Sequence, residues 1–409
     1  MFFNNYISTI DNPELVLSIK ETSKSFSSKI SEHFTINQQL NALLLGNVQS
    51  GKTAQMLGII SAMADSGYKI FVLLTTDNVD LHRQTYNRVK NSLQTFNVLN
   101  EREESLLTPA CLIKPTIIVL KKNSRVLSRW KNHFLNTEIC KGLMLVIFDD
   151  EADAASLNTL VNKSKVSSIN KRLAEIKHTA ANTIYIEVTA TPQAVLLQTQ
   201  LSGWKPAFVY YFRPGSDYLG GNYFYPRTKS LTTIFTNNFE LDEVKNGGDV
   251  ICPVGLSRSI LSFLINCAHK KLNGFSNCNF MIHPSIKISI HNQFVETVQD
   301  HLTLLQKSTD DAAFLSNLKD EWCDLQQTKP DLEPFEDIRD TVIELLDNTN
   351  ISIIPYQKAL ILLLAEILWE EVLHFQIYKQ YIIVDLLNLL KQTHIGNILE
   401  SLDMTERSN

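Results

Sequence analysis

The residues Gly46-Asn47-Val48-Gln49-Ser50-Gly51-Lys52-Thr53 satisfy the spacing G-x-x-x-x-G-K-[ST]. That spacing serves one kind of chemistry. Glycines let the backbone curl until successive N–H groups aim at phosphate oxygens, and the N-terminus of a following helix adds a favourable dipole. The expected phosphate contacts are Gly46, Gln49, Ser50, Gly51, Lys52 and Thr53. Lys52 would bridge the β- and γ-phosphates, and the Thr53 hydroxyl would hold Mg²⁺. The motif therefore implies a nucleoside triphosphate, with ATP and Mg²⁺ as the expected cofactors.

A second group follows the apolar run Leu143 to Phe148, which discharges into Asp149-Asp150-Glu151-Ala152-Asp153. Carboxylates at the C-terminal end of a buried parallel strand stand where ligands bind in open α/β sheets. Asp150 is the expected metal partner and Glu151 the group that orients or deprotonates an attacking water, so Lys52 and Glu151 are the expected catalytic pair. Asp149 and Asp153 either join them or cap the following helix. A third group, Glu187-Val188-Thr189-Ala190-Thr191-Pro192, ends another apolar run. Proline keeps the preceding residue extended, so Thr189 and Thr191 are displayed at a strand end. They either couple to the γ-phosphate or form an ordinary strand-to-helix turn.

The elements needed to position these groups are legible in the hydrophobic pattern. Strands near 42–46, 70–75, 115–120, 143–148 and 183–188 alternate with helical segments, and the first helix runs from Thr53 to Asp65 and closes at Gly67. This βαβ rhythm predicts an α/β fold: a RecA-like parallel sheet carrying the phosphate loop, followed by a second, incomplete α/β domain. The expected division is a helical lead over 1–38, the sheet domain over 39–205, a connector and partial second domain over 206–361, and a tail over 362–409. Phe280-Met281-Ile282-His283 is the expected early strand of the second domain.

Composition narrows the classes. A chain of 409 residues has ample length for more than one domain, and a net charge of −5 gives no global basic field for nucleic acid. The six cysteines are scattered without C-x-x-C spacing, which predicts a reduced chain lacking a structural zinc. With neither a signal-like N-terminus nor a long uncharged apolar run, the expected location is cytoplasmic.

In order, the loop, the DDEAD segment and the TATP segment resemble superfamily-two helicases and translocases. The closer resemblance is to the Z-one domain family of restriction systems. It is carried by Val48 to Thr53, Asp65-Ser66-Gly67-Tyr68, Arg83-Gln84-Thr85 with Arg88, Asp149 to Asp153 with Ser156, and Thr189 to Pro192. Weaker matches are Pro214 to Gly221 and Met281-Ile282-His283. The resemblance implies a helicase-like ATPase acting on DNA in a bacterial restriction-modification or phage-defence system. It further implies companions such as a DNA methyltransferase, a nuclease or a MutL/MORC-like ATPase, and nucleic-acid contacts at Arg83 and Arg88.

Other basic residues, Lys121, Lys122, Arg125, Arg129 and Lys131 around Trp130, either meet a phosphate backbone and a base or form a solvated helix face. His82, His283 and His291 are expected to be structural. The rival reading is a Mg²⁺-dependent restriction endonuclease, against which stand the intact phosphate loop and the lack of a separate E-x-K near Pro330-Asp331. A third reading is a nucleotide-binding switch or scaffold without turnover.

The tail departs from the pattern expected of a helicase-like engine, whose second half carries an arginine for the γ-phosphate. If codons are rebuilt from the third base of one and the first two of the next, residues 363 to 385 can be read as IVGGNILGRGVTFPNLQTVYYCRS. The stretch from Asn388 to about Glu406 can be read as SPQADTYWQHSRIFGYDRE. Both strings resemble the family's arginine-bearing motifs, so a frameshift near residue 362 is expected. The chain as written would then bind ATP but hydrolyse it slowly, by roughly 10³-fold if the lost arginine acts as a finger.

Overall fold

The computed structural model describes residues 1–35, 39–154, 167–196, 204–215, 239–246, 252–274, 277–282, 288–347, 351–356 and 359–365, with Ser156, Tyr218, Gly220, Tyr223 and Pro284 besides. His283, the Asn246-Gly247-Gly248 turn beyond Asn246, and the tail after Ala365 lie outside the described residues. The chain divides into two compact units, Met1–Gly220 and Gly221–Asn409.

The first unit begins with α1 (Phe2–Ile7) and α2 (Pro13–His33). Then β1 (Gln39–Leu45), α3 (Lys52–Asp65), β2 (Ile70–Thr75), α4 (Val79–Ser92), β3 (Asn97–Leu99), β4 (Thr116–Lys121), α5 (Ser124–Thr137), β5 (Met144–Asp150), α6 (Ser168–Lys177), β6 (Asn182–Thr189) and β7 (Phe208–Tyr211) follow. The strands form one seven-stranded sheet in the order β3-β4-β2-β5-β6-β1-β7, with parallel pairing throughout. Parallel sheets need both faces covered, and this one has them. On one face Ala42, Phe71, Val146 and Ile186 pack with Ile19, Phe26, Met56 and Val89 from α2, α3 and α4. On the other, Val72, Ile118 and Ile147 pack with Leu127, Trp130 and Phe134 of α5 and Leu173 and Ile176 of α6.

The fold is thus the expected α/β parallel sheet, with an added strand at each edge, β3 and the four-residue β7. The side chains of β7 alternate between buried and exposed, a weak signal in four residues. The helical lead docks on α3. Tyr6 Oη donates to the Ala54 carbonyl at 2.9 Å, and the absence of a side chain at Gly58 lets Ile19 approach, since a Cβ there would lie 2.3 Å from it. Gly67 ends the α3 turn with φ +95°, the left-handed conformation expected of it.

Register brings the motifs level. Leu45 at the end of β1 pairs with Thr189 at the end of β6, and Asp150 at the end of β5 pairs with Val188. Because all three strands run the same way, the Gly46–Thr53 loop, the acidic turn and the threonine pair emerge together at the C-terminal ends of the strands.

In the second unit, α7 (Phe239–Asn246), α8 (Val254–Leu272), α9 (Ile288–Lys307), α10 (Ala312–Gln326) and α11 (Phe335–Asp347) accompany β8 (Asn277–Ile282), β9 (Ile351–Tyr356) and β10 (Ala359–Ala365). Its core gathers Ile260, Leu264, Val298, Leu318, Ile338 and Val342. Within the described residues the strands pair antiparallel in the order β8-β10-β9.

Candidate nucleotide site

The loop after β1 is held on both sides. Gly46 N–H donates to the Thr189 carbonyl at 3.2 Å, tying the loop's start to the end of β6. A Cβ at Gly46 would lie 2.1 Å from the Phe212 ring, so a buried aromatic, in addition to the curl of the loop, requires glycine there. Within the loop the Asn47 carbonyl accepts from Ser50 N at 3.2 Å, Ser50 Oγ at 2.7 Å and Lys52 Nζ at 3.1 Å. Gln49 has φ +60° and Gly51 φ +89°, so the sharp reversal is shared between one glycine and one residue that bears a side chain.

Gly51 caps α3 without a side-chain hydrogen bond. First-turn amides left without such a cap are the groups that an anion satisfies at a helix start. Thr53 is the second residue of α3 and half-buried. Two tyrosines outside the motif also reach the loop: Tyr218 Oη donates to the Val48 carbonyl at 2.7 Å and Tyr211 Oη to Asn47 Oδ1 at 3.3 Å. Tyr218, within the weakly matching Pro214 to Gly221 segment, therefore touches the loop, a contact that only the tertiary fold reveals.

The acidic turn faces Lys52. Burial lowers the Lys52 ammonium from its ordinary value, while Asp150, Glu151 and Asp153 pull it back up. Burial and then the neighbouring Glu151 push the Asp150 carboxyl up to about 6, against Lys122 and Lys52. A crowd of oxygen donors whose charge is poorly solvated has the donor chemistry that suits a hard cation. Glu151 has φ +53°, and its N–H donates to Asp150 Oδ1 at 3.1 Å.

Among the described residues both outer aspartates bond side chains in or just past other strands. Asp149, fully buried, accepts from Lys122 Nζ at 3.1 Å and Tyr185 Oη at 2.6 Å. Asp153 accepts from Thr189 Oγ1 at 2.6 Å and Thr191 Oγ1 at 2.6 Å. The two threonines thus bind the acidic turn directly, and the turn in that way joins β5 to β6.

The remaining basic candidates divide. Arg83 and Arg88 are exposed on α4, about 140° apart around its axis at 100° per residue, and Arg83 pairs with Asp80 at 3.0 Å. His82, buried, meets Thr75 Oγ1 at 2.9 Å and serves the structural role expected of it. In the cluster around Trp130, Arg125 and Arg129 are exposed on α5, and the other members are buried or half-buried. Trp130 is fully buried and donates to the Glu101 carbonyl at 3.1 Å; Lys121 pairs with Glu101 at 3.2 Å, Arg129 with Glu104 at 2.9 Å and Lys131 with Glu175 at 3.5 Å. The Lys122 side chain is fully buried, and among the described residues the exposed Arg125 forms no such ion pair. Near the rival nuclease position, Asp331 is exposed and pairs with Lys329 at 3.3 Å.

Among the described residues no group of three or more His, Cys, Asp or Glu side chains forms a ready metal cluster, and no helix is long and apolar enough to cross a membrane. No curated protein matches the chain. Among solved structures, the chain is similar to the Pyrococcus furiosus Hef helicase domain at 16% identity, covering 80% of this chain and 67% of that one with a TM-score of 0.33. It is similar to the Sulfolobus solfataricus SWI2/SNF2 ATPase core in complex with dsDNA at 10% identity, covering 72% and 58% with a TM-score of 0.31. A nuclease-deletion mutant of the type ISP restriction-modification enzyme LlaGI, in complex with a DNA substrate mimic, is 14% identical over 80% of this chain and 32% of that one, with a TM-score of 0.32. The family model of the Z1 domain matches residues 255–384.

Proposed function

We propose that the chain is a P-loop ATPase that binds Mg·ATP at Gly46–Thr53 and acts on DNA as a component of a bacterial restriction or defence system. One observation carries the nucleotide half of this reading: an open helix start at Gly51–Thr53 faces, through Lys52, the carboxylates of Asp150, Glu151 and Asp153. Lys52 and the α3 amides would bind the phosphates, Thr53 and Asp150 would hold Mg²⁺, and Glu151 would orient the attacking water. Bound Mg²⁺ would supply charge neutralisation at the transferred phosphoryl group. Asp153, held by Thr189 and Thr191, would transmit the state of the acidic turn to β6.

The DNA half rests on the Z1 match and the motif resemblance, since the net charge of −5 gives no general attraction. A methyltransferase, nuclease or MutL/MORC-like ATPase is the companion this reading suggests.

The test is nucleotide titration and phosphate release with two variants. Lys52→Ala should strongly weaken ATP binding, and Glu151→Gln should keep ATP bound and stop turnover. Unchanged affinity in Lys52→Ala would remove the site from this loop. Mg²⁺-dependent nicking of DNA without ATP would assign the carboxylates to DNA cleavage instead.

A further inference from the structure

Lys122 stands one residue beyond β4 in a run, Lys121-Lys122-Asn123-Ser124-Arg125, that reads as surface. Its side chain is instead wholly buried, and its Nζ makes three hydrogen bonds: to Asp149 Oδ1 at 3.1 Å, the Asp150 carbonyl at 2.7 Å and the Glu151 carbonyl at 2.7 Å. An ammonium has three donors, so all of them are spent on three consecutive residues of the acidic turn.

Two of the acceptors are main-chain oxygens on either side of the Glu151 Cα. That residue has φ +53°, a conformation disfavoured for a residue with a side chain. Both carbonyls turn toward one cation, which selects this backbone over the extended one that would continue β5. The Glu151 carbonyl also accepts from Ala154 N at 3.0 Å, and Ala152 N donates to the Val188 carbonyl at 3.1 Å, so the reversal is fixed at each end. Asp149 neutralises the ammonium, and Tyr185 Oη at 2.6 Å occupies its other oxygen.

We infer that Lys122 is the positioning residue of the acidic turn, holding the Asp150–Glu151 main chain so that Asp150 presents its carboxylate to the metal and Glu151 to the attacking water. The inference rests on the nucleotide reading above and adds to it a residue that lies outside every motif. Asp149 is then the counter-charge of the clamp and not a metal ligand.

The test uses the full chain and the double variant Lys122→Met/Asp149→Asn, which removes ammonium and carboxylate together so that no buried charge is stranded. Tyr185→Phe is the comparison, since it removes a bond to Asp149 but leaves all three Lys122 donors. Affinity for a fluorescent ATP analogue is titrated in Mg²⁺ and in EDTA. The Mg²⁺-dependent gain in affinity should fall about 10- to 100-fold in the double variant, as when an outer partner of a metal ligand is removed, and persist in Tyr185→Phe. Affinity in EDTA should stay near wild type in both. Hydrogen exchange at the amides of residues 151–154 should quicken in the double variant while that of β5 does not. An unchanged Mg²⁺ gain in the double variant, an equal loss in Tyr185→Phe, or unaltered exchange at the turn would overturn the proposal. A wild-type chain that binds no ATP in either condition would overturn the nucleotide reading itself, a result decided before any variant is compared.

Discussion

Glu187 gives the most quantitative expectation. It lies in β6 beside Asp149 of β5, is 4% exposed, and its Oε2 has no hydrogen-bond partner among the described residues. Burial first, and Asp149 second, push its carboxyl up to about 8, against the pull of Lys177. Lys177 shares the buried layer: its Nζ donates to Asn41 Oδ1 at 2.6 Å and sits 4.0 Å from the Trp204 ring centroid, and burial lowers its ammonium to about 8.

The two shifts act on stability with opposite signs. Between the unfolded carboxylate value and about 8, the folded chain keeps the Glu187 proton that the unfolded chain has released, so stability falls as pH rises. Between about 8 and the unfolded lysine value, the unfolded chain keeps a proton that folded Lys177 has lost, so stability rises with pH. A minimum near pH 8 follows. Glu187→Gln keeps the shape and removes the first branch. At up to about 1.4 kcal/mol per pH unit, the variant should gain roughly 3 kcal/mol on wild type between pH 5.5 and 8. That corresponds to about 6–12 °C in the melting temperature of a unit this size. Thermal melts at half-unit pH intervals measure it. A Glu187→Gln effect equal at pH 5.5 and 8 would mean that Glu187 is ionised throughout as an ion pair with Lys177, and would refute the reasoning.

Gly46→Ala should destabilise the first unit by about 1–3 kcal/mol through overpacking against Phe212, and Phe212→Leu in the same chain should recover part of the loss in urea unfolding. Thr189→Val, at a buried hydroxyl bonded to the Asp153 carboxylate, should cost about 1.5–3 kcal/mol, whereas Thr191→Val at the exposed partner should cost under about 1 kcal/mol; equal costs would show that burial does not set the strength of these bonds. Charge reversal at Arg83 and Arg88 should reduce salt-dependent DNA binding without lowering the melting temperature, and equal binding would move the DNA contact off α4. Resequencing the gene should reveal the shifted frame after residue 362, and the recoded chain should hydrolyse ATP roughly 10³-fold faster than the present one; stop codons before the QHSRIFGYDRE string would end that expectation.

What the sequence made legible follows from how local each signal is. β2 is buried at every position, and a continuous apolar run of that length has few alternatives beside the phosphate-loop helix, so its expected and observed bounds coincide at 70–75. β7 has four residues with alternating burial at a sheet edge, and its membership depends on pairing with β1, far away in sequence. The candidate site divides in the same way. The loop and the acidic turn announce themselves because each chemistry needs adjacent residues. Lys122 does not, because its meaning is set across strands: β4 pairs with β2 and β2 with β5, so a basic residue just past β4 lies at the level where β5 delivers Asp149. In a surface run the same lysine would bind solvent. Here the sheet order leaves it no water to reach, and the charge it must find is the one that Asp149 supplies, one residue ahead of Asp150 and Glu151.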